Sequence, residues 1–549
     1  MFAVTMPVML AGARRWLDVN FLALGRELRL SYMPPLMVYM AAGISGLTAI
    51  VGTFFVKDYL ALSAAFLAGL AFWAGIPYVI KMPIGHVVDL VWRWKNWLVF
   101  LGAGLMATSL AIMVGLLTDR AAMAAVMPAE AWYVLSELLA PVGFVIQDVV
   151  ADAMTIEAVP RVDEHGRPVD PAARRLMNTT VQTLGRVAII GGSVLVGVIN
   201  LYVFADAEQL SSAQKAAIYR DVYLMSLSIP AISVAGVVLA FFVRQRDLRR
   251  LVARGIPAAE AKRLLDRPEE LPAPNWWILG GSLVFVAFTL AMGLGDLPYN
   301  QEIIFAGSFA IVAFLIARLT SDLEPGARET LIGTLAIIFA FRAVPAAGQG
   351  LTWWMIDVLK FDERFLAVLS LIGSAVTLAA LFVFRRFMAE RSIAYIVGCL
   401  AVLGAAISLP IVGMYYGLHL WTAARTGGLV DAHFIVLVNT ALDSPLFQIS
   451  MIPMLAWIAN SAPANLKATY FAIMASFTNL ALSASQLGTK YLNETYAVTR
   501  EVRDAASGAI KVPADYSQLG ELLVAQLLLA LALPFGAILA VRALRLKWA

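Results

Sequence analysis

Between Pro141 and Arg161 the chain reads PVGFVIQDVVADAMTIEAVPR, an apolar stretch of helix length that carries Asp148, Asp152 and Glu157. A carboxylate at the centre of a membrane helix costs about 2.5–3.5 kcal/mol on insertion scales, so such groups are rare there and face a partner or a water-filled path. Asp148 and Asp152 are four apart and share one helix face. Two kinds of chemistry are open to them: accepting hydrogen bonds from the donor edge of a solute, or carrying a proton. A span that ends near Glu157 puts Asp148 about 14 Å from its inner end at 1.5 Å per residue, close to the midplane. Arg186, in VQTLGRVAIIGG, lies at matching depth in the next span. The depths predict an Asp148–Arg186 pair that relieves both charges. Such a pair reads either as a static tie between two spans or as a group linked to a solute or a proton, and a buried pair is weak evidence of stability. Glu157 reads as a helix-end charge paired with a loop arginine such as Arg174 or Arg175.

The elements that position these residues follow from composition. The chain has 549 residues, 61% hydrophobic and 14% charged, with mean hydropathy +0.79. Soluble domains run about 25% charged, so the chain reads as an all-α polytopic membrane protein. About fourteen runs reach the ~20 apolar residues that a bilayer crossing needs. Lys and Arg concentrate in alternate loops, which predicts both termini in the cytoplasm. Loop 490–517, on the expected outer side, carries several basic residues against that trend. The start, MFAVTMPVMLAGARRW, lacks the order of a secretory signal and reads as a cytoplasmic segment, with the bacterial inner membrane as the expected location. The organisation expected is a cytoplasmic N-terminal segment at 1–34, a six-helix bundle at 35–243, a charged cytoplasmic linker at 244–275, an inserted helix pair at 276–320 and a second six-helix bundle at 329–545. The 14 spans then divide as 6+2+6.

Composition also excludes. A net charge of +4 is no nucleic-acid signature, and Cys399 is the single cysteine, so neither an internal disulfide nor a cysteine metal site is expected. The four histidines (His86, His165, His419, His433) are scattered. No metal or cofactor is expected. The chain holds no GxSxG, P-loop, HExxH or CxxC, so it does not read as an enzyme or a nucleotide-driven pump, and any work must come from an ion gradient.

The two halves carry a faint repeat. YMAAGISGLTAIVGTFFVKDYLALSAAFLAGLAFWAGIPYVIK can be laid on FRAVPAAGQGLTWWMIDVLKFDERFLAVLSLIGSAVTLAALFVFRR. Each is a Gly/Ala-rich span that ends in an aromatic cluster, followed by Lys57-Asp58 or Lys360-Phe361-Asp362, a short turn, a second span and a basic residue. The halves are chemically unequal, because the span matching the acid-bearing one has only Asn439, Asp443 and Gln448. Asp443 reads equally as a pathway or a structural group. Arg342, with Gln349 two turns beyond it, and the amides Gln182, Asn479 and Gln486 complete the polar groups inside spans. Such amides often join helices. Lys81 ends the second span. Asp89, four after Gly85 and followed by Arg93, reads as a gating charge or a plain loop charge. Most of the tryptophans fall near span ends, as interfacial anchors do.

Four segments carry a resemblance over most of residues 32–490: GIPYVIKMPIGHVVDLVWRWKNW, QDVVADAMTIE, FRAVPAAGQGLTWWMIDVLKFDERFLAVLSLIGS and ANLKATYFAIMASFTNLALSASQLG. They resemble the folate–biopterin transporter family, a branch of the major facilitator superfamily. The sequence departs from the family where Met82 separates Lys81 from Pro83 and where no arginine run follows Asp89. The muropeptide permeases are the second resemblance. The first implies a major facilitator fold and a secondary transporter that moves a folate- or pterin-like solute by alternating access, with proton coupling. It places Asp148 and Asp152 at the ring edge or the coupled proton, and Arg186 and Arg342 at anionic groups. Gln182, Gln349 and Asp443 would line the route, and Asp89, Lys81 and Arg93 would gate it. The partners implied are a small organic solute, H+ and the bilayer, with the chain a monomer. The alternatives are an anionic sugar–peptide permease and a non-transporting membrane protein associated with pigment or assembly.

Overall fold

Hydrocarbon offers the backbone no hydrogen-bond partners, so a chain this apolar must satisfy its peptide groups within helices. The computed structural model describes residues 28–548 apart from 61, 80, 82–83, 85–86, 89–90, 92–93, 161, 164–166, 168, 207–210, 266–275, 295–297, 320–323, 384–390, 462–466 and 504–509. In chain order the helices are α1 (Met33–Ile44), α2 (Ala49–Tyr59), α3 (Ala64–Val79), α4 (Lys95–Thr118), α5 (Arg120–Val126), α6 (Ala129–Ala158), α7 (Pro171–Val203), α8 (Ser212–Ser226), α9 (Ser228–Ala253) and α10 (Ala258–Leu265). After residues 266–275 follow α11 (Trp276–Leu294), α12 (Asn300–Leu319), α13 (Pro325–Arg342), α14 (Gln349–Asp357), α15 (Glu363–Val383), α16 (Ile393–Tyr415), α17 (Leu418–Arg425), α18 (Ala432–Ser461), α19 (Lys467–Thr495) and α20 (Leu519–Ala543). Among the described residues, nine helical segments are long and apolar enough to cross a membrane, from Leu30–Lys57 to Leu519–Ala543. Helices also occupy the expected span positions at α3, α11, α13, α18 and α19.

The helices pack as two bundles. In the first, α6 lies along α4 and against α1 and α3, while α1 also packs on α7 and α9. In the second, α18 packs on α15 and α16, and α20 on α16 and α13. The bundles meet along two seams, α3 on α19 and α7 on α15. The α11–α12 pair sits beside the first seam, with α12 against α19 and Glu302 taking bonds from Lys490 (3.2 Å) and Tyr491 (2.6 Å). The helix bearing the acids is held close to α4 by two glycines. A Cβ on Gly102 or on Gly143 would come within 2.6 Å of the other's carbonyl oxygen, so only hydrogen fits at either.

The span expected over 329–357 is interrupted. α13 stops at Arg342, residues 343–348 are non-helical, and α14 restarts at Gln349 after Gly348, whose φ of +76° favours glycine. Pro345 breaks the ladder, since it has no N–H. The freed peptide groups are met by one face of α19: Ser485 donates to the Val344 carbonyl at 2.7 Å, Thr489 accepts from the Ala346 N–H at 2.9 Å, and Asn493 donates to the Ala347 carbonyl at 3.1 Å. The corresponding span of the first half is bent more gently, by a 3-10 turn at Ser45–Thr48 between α1 and α2.

One cation of the basic loop 490–517 has a packing role. The loop folds into a short antiparallel hairpin, Val502–Arg503 on Ile510–Val512, and buries Arg500 with its guanidinium 5.2 Å from the Trp353 ring centroid. A cation committed to an aromatic ring in this way serves packing.

Thr489→Val removes the acceptor for the Ala346 N–H inside the membrane. The variant is expected to lose about 1–3 kcal/mol, read as a lower melting temperature of the purified protein, whereas Thr489→Ser keeps the acceptor and the melting temperature.

Candidate functional site

Asp148 and Asp152 lie one turn apart on α6, on a face that looks into the first bundle. Between them stands Lys81, two residues beyond α3, its Nζ 2.6 Å from Asp148 Oδ2 and 2.8 Å from Asp152 Oδ2. The other oxygen of Asp152 accepts from the Tyr39 hydroxyl at 2.6 Å. Tyr39 comes from α1, and Gly185 on α7 makes room for its ring, because a Cβ there would meet it at 2.9 Å. Three elements thus converge on two carboxylates that share one ammonium, so the cluster holds more anionic than cationic charge. Side-chain exposures of 26% for Lys81, 30% for Asp148 and 48% for Asp152 leave the group open to a ligand on one side.

The expected Asp148–Arg186 ion pair is replaced by Lys81–Asp148. Arg186 is exposed on α7 and within electrostatic reach of both acids, but makes no ion pair with them. Rotation about the helix axis decides which cation faces the acids, and position along a helix is silent on it. Lys81, expected at a gate, is drawn into this cluster because its long stem reaches inward from the end of its span. Glu157 keeps its structural reading with a different partner, Lys95 at 2.7 Å, itself buried at the start of α4. The Arg174 and Arg175 side chains fall outside the described residues.

The other expected site residues are dispersed. Arg342 ends α13 and is buried there, Gln349 opens α14 and is exposed, and Asp443 is exposed on α18 in the second bundle. Gln182 lies on α7 with its side chain outside the described residues, as are Asp89 and Arg93 altogether.

A second set of charges lies on the face opposite the 244–275 linker, where it ties the two bundles together. Lys57 at the end of α2 binds Asp357 at the end of α14, at 2.8 Å. Lys215 on α8 binds Glu363 at the start of α15 at 3.0 Å, and Tyr219 donates to the same carboxylate at 2.5 Å. Tyr516, in the loop before α20, donates to Asp357 at 2.5 Å. Burial, then this bond, push the Tyr516 hydroxyl above its usual ionisation range, so it stays a donor at neutral pH. The sequence reading noted Lys57 only as a mark of the repeat and passed over Asp357, Lys215, Glu363 and Tyr39. Their signal was weak: charges at span ends are common, and a tyrosine in an apolar span is ordinary.

Two helical bundles meeting along paired seams, with a charged cluster on the inner face of one of them, make up a polytopic helical fold of the major facilitator type. Solved structures agree on the fold. A POT family transporter in complex with 5-aminolevulinic acid aligns with TM-score 0.55 at 11% identity, covering 94% of this chain and 95% of that one. A POT family transporter in complex with thioalcohol conjugated peptide aligns with TM-score 0.54 at 11% identity, with the same coverage. Residues 283–545 match the BT1 family. The chain is also 22% identical over 452 residues to the Folate-biopterin transporter of Synechocystis sp. (strain ATCC 27184 / PCC 6803 / Kazusa), covering 81% of this chain and 71% of that protein. The resemblance to the folate–biopterin transporter family thus extends from the motifs to most of the chain.

Lys81→Met strands two carboxylates beside each other. It is expected to lower thermal stability, and adding Asp152→Asn to restore part of the loss. A coupling of about 1–3 kcal/mol in a double-mutant cycle checks the shared ammonium; purely additive effects would count against it.

Proposed function

We propose that the protein is a secondary transporter that moves a folate- or pterin-like solute across the membrane by alternating access, with proton coupling. The observation that carries this reading is the Lys81–Asp148–Asp152–Tyr39 cluster, two membrane-embedded carboxylates on one cation with an exposed face. A pterin ring presents adjacent N–H donors that a carboxylate can accept as a pair, and charge-assisted pairs of this kind are about twice as strong as neutral ones. Arg186, at the same depth without an ion-pair partner among the described residues, suits a carboxylate on the solute's tail. Lys81 exchanges partners in this scheme: when a solute donor edge occupies one aspartate, the ammonium is held by the other. A proton taken up in place of the solute neutralises the surplus carboxylate, which links the two fluxes.

Alternating access is supported by the charges on the face away from the linker. Lys57–Asp357 and Lys215–Glu363 both join the first bundle to the second, so opening that face requires both to part. With the linker and both termini in the cytoplasm, the conformation described is closed to the outside. The reading includes a monomer in the inner membrane of a bacterium, and transport by this route needs no catalytic chemistry.

In vesicles containing the purified protein, radiolabelled folic acid is expected to accumulate under an imposed proton gradient. Asp148→Asn should abolish that accumulation while the protein still inserts and elutes as wild type; wild-type rates would remove Asp148 from the mechanism. Competition by a muropeptide but not by folic acid or biopterin would move the substrate to an anionic sugar–peptide. Lys57→Ala combined with Lys215→Ala should raise the labelling rate of a cysteine placed on the face away from the linker in a Cys399→Ser background, and an unchanged rate would separate these pairs from gating.

A further inference from the structure

One carboxylate of the acid-bearing helix takes no part in the cluster. Glu137 lies in α6 within the membrane-spanning segment Ala129–Thr155. Eleven residues separate it from Asp148, which puts the two about 16 Å apart along the axis and within about 20° of each other around it. The exposed residues nearest it along the helix, Leu135 and Val142, at 38% and 37%, lie roughly 140–160° away. Glu137 therefore points inward along the same face as Asp148 and Asp152, on the other side of the midplane.

Its surroundings hold no cation. Tyr133, one turn away on α6, and Tyr223 on α8 are both buried and within electrostatic reach of Glu137. Phe55 stacks against Tyr133 with centroids 6.4 Å apart. α5, which also packs on α6, carries Arg120 at its start, before α6 begins, and α8 carries Lys215, bound to Glu363, and Arg220, bound to Asp221; none of the three makes an ion pair with Glu137. α1 and α3 have no ionisable residue beyond tyrosine here, and Lys95 on α4 stands at the opposite end, bound to Glu157. Arg186 on α7 lies at the level of Asp148, and Lys57 at the end of α2 is bound to Asp357. Among the described residues, no hydrogen-bond donor or ion-pair partner contacts the Glu137 carboxyl. Glu137 is half-buried; an ionised carboxylate at this depth with no cation beside it is costly, and a proton removes that cost without a counter-ion.

We propose that Glu137 is a proton-binding site on the side of the midplane away from the linker, which receives the coupling proton before it passes along the α6 face to the Asp148–Asp152 pair. The proposal deepens the proton-coupled reading above and rests on it. One helix face then carries a site on each side of the membrane centre: a lone carboxyl that holds its proton when no water reaches it, and a shared pair that holds one only when the solute leaves. The conformational change has to hydrate one site and then the other, and the proton need not cross with the solute.

Infrared titration of the purified protein in lipid vesicles reads the proton directly. The wild type is expected to show protonated-carboxyl absorption at neutral pH from which Glu137→Gln loses one component, beside that of the Asp148–Asp152 pair, and in which Glu137→Asp shows that component shifted. With folic acid as the probe, Glu137→Gln is expected to lose accumulation driven by a proton gradient while keeping counterflow exchange. An unchanged infrared band in Glu137→Gln, or wild-type accumulation by that variant, overturns the proposal. If the wild type itself fails to accumulate folic acid, the substrate reading falls, and the infrared comparison alone decides Glu137. If Glu137→Gln does not fold, Glu137→Asp decides through its band position and its accumulation.

Discussion

Lys81 can serve Asp148 and Asp152 together because the two acids are one helical turn apart and the lysine enters from the end of a neighbouring span. In water an ammonium between two carboxylates is unremarkable. Inside a bilayer each uncompensated charge costs several kcal/mol, so the three groups are coupled: a change at one alters the cost of the others. The surrounding structure serves this contact. Gly102 and Gly143 bring α6 tight against α4, Gly185 lets Tyr39 reach Asp152, and Lys95 fixes Glu157 at the C-terminal end of the same helix. An arrangement with more acid than base, open on one side, responds to whatever supplies a donor or a proton.

The same scarcity of partners governs the backbone. The gap at 343–348 is tolerated because Ser485, Thr489 and Asn493, spaced one turn apart on α19, take up the freed peptide groups. That bonding lies within the second bundle, whereas the pairs at Lys57–Asp357 and Lys215–Glu363 join the two bundles. Asp357 closes α14, directly beyond the gap, and also holds Tyr516. The broken span, the loop before α20 and the first bundle therefore meet at one carboxylate, which ties α14 to the first bundle.

Much of the architecture was legible in the chain. Low charge and long apolar runs dictate helices in a membrane, and the helices stand where the runs stand. Asp148 and Asp152 were legible as a pair because i and i+4 share a face in any helix. The partner was not: Arg186 matches Asp148 in depth, yet Lys81 holds it, since facing depends on how α3 and α7 rotate against α6. The break after Arg342 was half legible. Pro345, Gly348 and Gly350 mark it, but the apolar run continues through, and hydropathy does not register a ladder that stops. In loop 490–517, whose charge runs against the rule, one of the cations, Arg500, lies over the Trp353 ring, a packing contact that a count of charges does not register.

Sequence alone determined what the bilayer demands of every chain: which stretches are apolar enough to enter it, which carboxylates must enter with them, and at what depth. These are properties of single segments, set by transfer free energy and helical rise. The tertiary structure decided the rest. Which cation meets the acids, which side chains mend the interrupted span and which charges join the two bundles all depend on helix rotation and packing distance. Those are fixed by contacts between segments hundreds of residues apart, such as Lys57 with Asp357 and Tyr39 with Asp152.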